Sequence, residues 1–316
     1  MGATIGATSD SQARKPNRRD FLAQAVGLGA ILSRPANLLA QEQLPTRLIP
    51  GTGESLPVVG FGSSKPVLES PTEGTEPIAK VIRTLLEYGG RVVDTSPRTE
   101  AIDRDFGRVL QDPELRDRLF LAAKININGE QNGIDQWRQT QRLFGRRTVD
   151  LLQVESLRDV DLHWPHVRAW KDAGEARYIG VTVSANARHS LMETFMRDNA
   201  PDFLHVNYSP LENRAEERLL PLARDMGMAV LINRPFMNGS YFGRVAGKEL
   251  PAWAADFDCE TWAQFSLKYV LANPAVTCVL TETTNPEHME ENIGAAFGRF
   301  PDDSTRVRMR ELLRSF

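Results

Sequence analysis

From Leu56 onward, short apolar runs alternate with amphipathic stretches. Val58 to Gly62 reads as a first buried strand, and Pro77 to Tyr88 carries Ile78, Val81, Ile82, Leu85 and Leu86 at helical spacing. The alternation then repeats. Strands are expected at Arg91 to Thr95, Leu119 to Lys124, Asp150 to Val154, Tyr178 to Thr182, Phe203 to Asn207, Ala229 to Asn233 and Val276 to Leu280. Between them fall helical patterns at Ala101 to Leu110, Asp135 to Phe144, around Val167 and Trp170, at Arg188 to Met196, around Leu219 and Leu222, and at Trp262 to Leu271. Gly174 stops one helix, and Pro286 opens the last repeat helix as a first-turn proline. Eight strands, each followed by a helix, predict a parallel sheet closed on itself, a (β/α)8 TIM barrel. An open doubly wound sheet would alternate too, but no Gly-x-Gly-x-x-Gly turn follows the first strand. The long connection Asn238 to Asp258 is expected to carry function or a lid.

The N-terminal stretch does not fit this repeat. Arg14, Lys15, Arg18 and Arg19 precede Asp20-Phe21-Leu22 and a mildly apolar run, Ala23 to Leu32. The run is too short for a permanent span, and the paired arginines fit a twin-arginine signal. Residues 1–40 are therefore expected to be an export signal with cleavage near Ala40, and 41–316 the barrel. This places the chain in the periplasm or otherwise outside the cytoplasm, handled in transit by the twin-arginine machinery. It stays tethered if the signal is kept, with no other stable membrane insertion.

Composition narrows the partners. Of 316 residues, 41% are hydrophobic and 25% charged, and the net charge of -3 offers no basic face for nucleic acid. Cys259 and Cys278 are too few for a disulfide framework or a structural zinc site. His163 and His166 resemble a metal pair only by count.

In a closed barrel, the strand ends share one mouth, where chemistry belongs. They read Asp94, Lys124, Glu155, Thr182, Asn207, Asn233 and Glu282. Asp94 and Lys124 come from adjacent strands, as either an active pair with shifted proton affinities or an ion pair bracing the barrel.

Five segments resemble the aldo/keto reductase family in order and spacing: Val92 to Pro97, Leu121 to Lys124, Val149 to Leu157, Arg177 to Thr182 and Thr284 to Asn292. The resemblance covers Leu56 to Phe297. It implies hydride transfer between a nicotinamide cofactor and a carbonyl or activated double bond of a small molecule. In that family an Asp, a Tyr, a Lys and a His surround the carbonyl. Asp94 and Lys124 match the Asp and Lys, but Thr99 stands at the Tyr position and Glu155 at the His position. A Thr hydroxyl is a far weaker acid than a phenol. Glu155 would take over as acid if burial kept it protonated, as in a steroid double-bond reductase branch that has Glu in place of that His; a plain salt bridge to Lys124 is the competing expectation. Arg98 either lends charge to an oxyanion or sits in solvent.

The resemblance also implies a cofactor path. Thr182 replaces the carboxamide Ser, Val183 replaces its Asn partner, His205 the Gln of the sixth strand, and Asn233 the aromatic that stacks on nicotinamide. Arg234 could reach a phosphate. Glu291 and Asn292 match the adenine end, with Thr283 nearby; Glu282 and His288 stand where a Lys and an Arg hold a 2′-phosphate. A carboxylate repels phosphate, so NAD is slightly favoured over NADP. The missing Tyr, His and carboxamide Asn leave a second expectation, a degenerate barrel that binds a small molecule or dinucleotide without turnover. Trp253, on the long loop, could line a pocket.

Overall fold

The computed structural model describes residues 42–316, so the expected signal through Ala40 lies outside the described residues. A short antiparallel hairpin comes first, β1 (Thr46–Leu48) with β2 (Ser55–Pro57). Eight parallel strands follow: β3 (Val59–Gly62), β4 (Val92–Asp94), β5 (Phe120–Ile125), β6 (Val149–Glu155), β7 (Ala176–Val183), β8 (Phe203–Asn207), β9 (Ala229–Asn233) and β10 (Cys278–Thr281). They pair in chain order, and β10 returns to β3 to close the cylinder. The alternation of apolar runs therefore corresponds to the closed barrel expected.

Strand residues alternate between two cores, because successive side chains point to opposite faces. Val93, Leu121, Leu152, Val181, Val206 and Ile232 face the outer helices. Val92, Phe120, Ala122, Leu151, Phe203, Leu231, Cys278 and Leu280 fill the cylinder. Ile49 and Leu56 from the hairpin join that inner cluster, so the hairpin plugs the N-terminal end. Gly60 makes the inner packing fit: a Cβ there would lie 2.9 Å from Cβ of Val92. Stepping by two along each strand carries the inward set to the open end. That brings Asp94, Lys124, Gln153, Glu155, Thr182, His205, Asn233 and Glu282 to one mouth.

Some elements escaped the periodic reading. The hairpin is too short to register, and the helix Ser64–Glu73 contains Pro66 and Pro71, which mask its pattern. The long connection folds into a helix Ser240–Val245 and a 3-10 segment Ala252–Phe257. The chain ends in a helix, Asp303–Arg314, capped by the Asp302 side chain on the Thr305 N–H. Cys259 and Cys278 are both buried and free.

Candidate active site

The mouth opens into a cavity of about 730 Å³. Its floor holds a buried polar chain. Lys124 Nζ donates to Asp94 Oδ2, and also to the Thr95 carbonyl at 3.4 Å. Gln153 Nε2 donates to Asp94 Oδ1 at 3.1 Å. His205 Nδ1 lies 3.0 Å from Gln153 Oε1. Because the Gln153 amide nitrogen is turned to Asp94, Oε1 must accept, and Nδ1 of His205 is the protonated nitrogen. Asp94 and Lys124 are each 4% exposed. Burial pushes His205 down to about 4, helped by Lys124 and opposed by Asp94, so the imidazole is neutral at ordinary pH.

Gln153 is a member of this chain that the motif reading passed over. The signal was available: it lies two residues from both Leu151 and Glu155, on the inward face of β6.

Glu155 lines the cavity, yet no cation lies within ion-pairing distance of it among the described residues. The expected Glu155–Lys124 salt bridge is absent, because Asp94 has engaged Lys124. Thr99 is a second correction. It is the exposed residue before the helix Glu100–Leu110 and does not line the cavity. The loop that carries it is pinned elsewhere: the Arg98 N–H donates to Asp103 Oδ2 at 2.9 Å, and its guanidinium bonds the carbonyls of Ser96, Pro97 and Ser64. Arg98 is thus a staple for this loop, which presents Ser96 to the cavity and turns residue 99 outward.

Glu282 reaches over Gly62, where a Cβ would come 3.2 Å from its Cγ. Glu282 keeps an exposed face, but partial desolvation against the mouth, with the Asp94 charge, raises its carboxyl above the ordinary range; Lys124, Arg98 and the Lys65 N–H pull the other way. Thr283 and His288 line the same wall, with 3.5 Å between Thr283 Oγ1 and His288 Nδ1. Thr182, His205 and Asn233 share the opposite wall on three successive strands. Arg234 lines the cavity in a left-handed backbone conformation, but Glu212 holds its guanidinium with two bonds, at 3.0 and 3.2 Å. Glu291 and Asn292 do not face the cavity; Asn292 is buried in its helix. Trp253 packs on Phe257 and Phe265 rather than lining the pocket. His163 bonds the Ile127 carbonyl at 2.8 Å and His166 bonds Glu130 at 2.7 Å, each serving local packing.

A model of the Aldo/keto reductase family matches residues 59–308. Aldo-keto reductase YhdN of Bacillus subtilis is 24% identical over 184 residues, spanning 52% of this chain and 54% of that protein. The NADH-specific methylglyoxal reductase of Escherichia coli is 25% identical over 168 residues, spanning 45% and 50%. The chain thus aligns with about half the length of these curated relatives. Among solved structures, an aldo-keto reductase from Klebsiella pneumoniae in complex with NADPH superposes with a TM-score of 0.68 at 17% identity, over 86% of this chain and 95% of that one.

Proposed function

Because the chain belongs to the aldo/keto reductase family, as the match over residues 59–308 shows, we propose that it transfers hydride between a nicotinamide cofactor and a carbonyl or activated double bond of a small molecule. The observation that carries this reading is the buried Asp94–Lys124 pair on the floor of a cavity large enough for a cofactor's reactive end. The cavity fits a nicotinamide at its carboxamide end. Asn233 Oδ1 is buried without a donor, and an amide N–H would satisfy it. Thr182, on the adjacent wall, would hold the other side of that amide.

When bound, the nicotinamide supplies or accepts the hydride. The chain's residues do the rest. Asp94 fixes Lys124 Nζ, and Gln153 fixes Asp94. An ammonium so placed stabilises charge growing on a carbonyl oxygen, with no reorganisation needed as the reaction proceeds. Leu68, Phe236 and Phe242 give the cavity part of its apolar lining.

The phosphate end is less welcoming. By the family resemblance Glu282 stands where a cation would hold a phosphate, and Arg234 is already engaged by Glu212. NADH is therefore expected to bind more tightly than NADPH, and Glu282→Lys to shift the preference toward NADPH by about tenfold, near 1.4 kcal/mol. Because the carboxyl of Glu282 is raised, its repulsion fades first as pH falls, so affinity for either dinucleotide should rise on acidification. Fluorescence titration with both reduced cofactors reads all three effects. Substrate-dependent loss of the reduced form across aldehydes, ketones and enones then tests turnover; binding with no loss anywhere would leave only the degenerate barrel.

Export through the twin-arginine route belongs to the same reading, supported by Arg18-Arg19-Asp20-Phe21-Leu22 and the apolar run after it. Changing Arg18 and Arg19 together to Lys should retain the full-length protein in the cytoplasm, as cell fractionation would show. Equal export of the variant would remove the twin-arginine assignment. An exported reductase has no free pool to re-reduce its cofactor, so tight retention of the dinucleotide is part of the proposal.

A further inference from the structure

A second pocket, of about 570 Å³, opens beside the mouth and shares Ser156 with the main cavity. Two arginines line it, Arg158 from the loop after β6 and Arg188 from the turn after β7. Their partners set them apart from the cations of the main cavity. There Lys124 has Asp94, Arg234 has Glu212, and Lys65 lies 3.6 Å from Glu69. Neither Arg158 nor Arg188 has a carboxylate within ion-pairing distance among the described residues. Asp159 is the one carboxylate in the pocket's lining, and its Oδ2 accepts from the Gly129 N–H at 2.8 Å. Glu155 lines the main cavity but not this pocket. The pocket therefore sets two guanidinium groups against one engaged carboxylate.

Arg158 is held in place. Its Nη1 donates to the Asn126 carbonyl at 2.6 Å, two residues beyond Lys124 in the chain. Asn126 is fixed in turn by two bonds with the Gln136 amide, each 2.9 Å, and its Nδ2 donates to the Pro97 carbonyl at 3.2 Å. The guanidinium is thus tied to the framework that carries Lys124 and Ser96. The loop bearing it is strained: Ser156, Leu157 and Asp159 all take left-handed backbone, with φ of 57°, 52° and 42°. Such a conformation is uncommon for residues other than glycine and persists where the surroundings enforce it. Leu157, 5% exposed, anchors the loop in the outer core, while Arg158 beside it stands at the surface. With one nitrogen spent on Asn126, the rest of the guanidinium fork is free to donate to an oxyanion.

We infer that the substrate is a small aldehyde or ketone that carries an oxyanion, a carboxylate or phosphate, at the end remote from its carbonyl. The carbonyl sits at Lys124, the chain passes Ser156, and the oxyanion lies between Arg158 and Arg188. A bound dinucleotide leaves this pocket open. Its nicotinamide amide is assigned to Thr182 and Asn233, neither of which lines the second pocket. Its adenine end follows the wall of Thr283 and His288 after β10, and β6 stands four strands from β10 around the eight-stranded ring. The carbonyl half of this inference rests on the oxidoreductase reading; the oxyanion half does not.

The test compares two oxyanions with neutral partners: levulinate with levulinamide, and dihydroxyacetone phosphate with dihydroxyacetone. Binding to the full chain is followed by NMR chemical-shift titration with NAD present, so that no ketone is reduced. At least one oxyanion should bind about tenfold more tightly than its partner, and the margin should shrink as salt screens the charge. A margin in the levulinate pair alone assigns a carboxylate, and one in the phosphate pair alone a phosphate. Arg158→Met and Arg188→Met made together should erase the margin. Should that double variant fold poorly, either single change should cut the margin by about threefold. Equal affinities in both pairs overturn the inference, as does a margin that survives the double variant. NADH affinity is followed by fluorescence in the same variant: a fall there with the ketone margin intact would give the arginines to the cofactor and overturn the inference too. Loss of NADH with each ketone is read separately, so a protein that prefers the oxyanion yet oxidises no NADH would contradict the hydride reading and leave the oxyanion site standing.

Discussion

Lys124→Met is expected to cost about 3–5 kcal/mol of stability and to remove turnover, because it strands a charge inside the barrel. Asp94 and Lys124 are each 4% exposed, and among the described residues the ammonium is the only cation bonded to that carboxylate. With the amine gone, Asp94 keeps one neutral partner, the Gln153 amide at 3.1 Å. An amide donates a hydrogen bond but cannot offset the desolvation of a full charge. At roughly 2–4 °C per kcal/mol for a domain of this size, the midpoint of thermal unfolding should fall by roughly 6–20 °C. Adding Asp94→Asn to the same protein removes the stranded charge, so the double variant should recover most of the loss. It should not recover activity, since the ammonium that faces the substrate is still missing. Thermal unfolding followed by circular dichroism, beside consumption of reduced cofactor, separates the two effects. A single variant within about 1 kcal/mol of the parent would mean that the pair is not the buried partnership described here.

The pair was legible in the sequence for a reason that applies to only part of the site. Asp94 and Lys124 end apolar runs, and a charge at the end of a buried strand stands out. The eight strands were legible on the same ground, because each is apolar on both faces of a closed sheet. Inward parity would have supplied Gln153 too, but the motif reading stopped at strand ends. Thr99 shows the opposite limit. The family resemblance placed it at the mouth, yet the bonds of Arg98 and Asp103 turn the loop so that Ser96 enters and residue 99 leaves. Which lysine partner wins is also invisible in one dimension. Asp94 and Glu155 both neighbour Lys124 by strand order, and only the geometry shows Asp94 taking it. Charges that meet across long stretches of chain are the least legible of all, and Arg306 meets Glu216 across 90 residues.

That contact anchors the second large effect. Glu216→Ala is expected to destabilise the protein by about 3–5 kcal/mol and to loosen the cavity wall at a distance. Glu216 Oε1 accepts from the Tyr269 hydroxyl at 2.8 Å, from the Tyr208 hydroxyl and from Arg306 Nη2. Arg310 lies 3.6 Å from the other oxygen. Both tyrosines are fully buried, and Arg306 is 8% exposed. Removing the carboxylate therefore leaves Arg306 with only the exposed Asp303 at 3.1 Å, Arg310 with no carboxylate among the described residues, and two phenols without an acceptor. The link to the cavity runs along the chain. The same segment, from Ser209 to Glu217, carries Glu212, whose two bonds hold Arg234 at the cavity wall. Freeing the segment at Glu216 should let that wall move, so ligand affinity should fall along with the unfolding midpoint. Arg306→Met made alone should cost a similar amount, since it leaves Glu216 with fewer partners. The two changes together should cost less than their sum, with a coupling of about 0.5–3 kcal/mol, because the second removes a group the first had stranded. Strict additivity in denaturant unfolding would show that Glu216 and Arg306 act independently, and the cluster would then be no clamp between the C-terminal helix and the segment that carries Glu212.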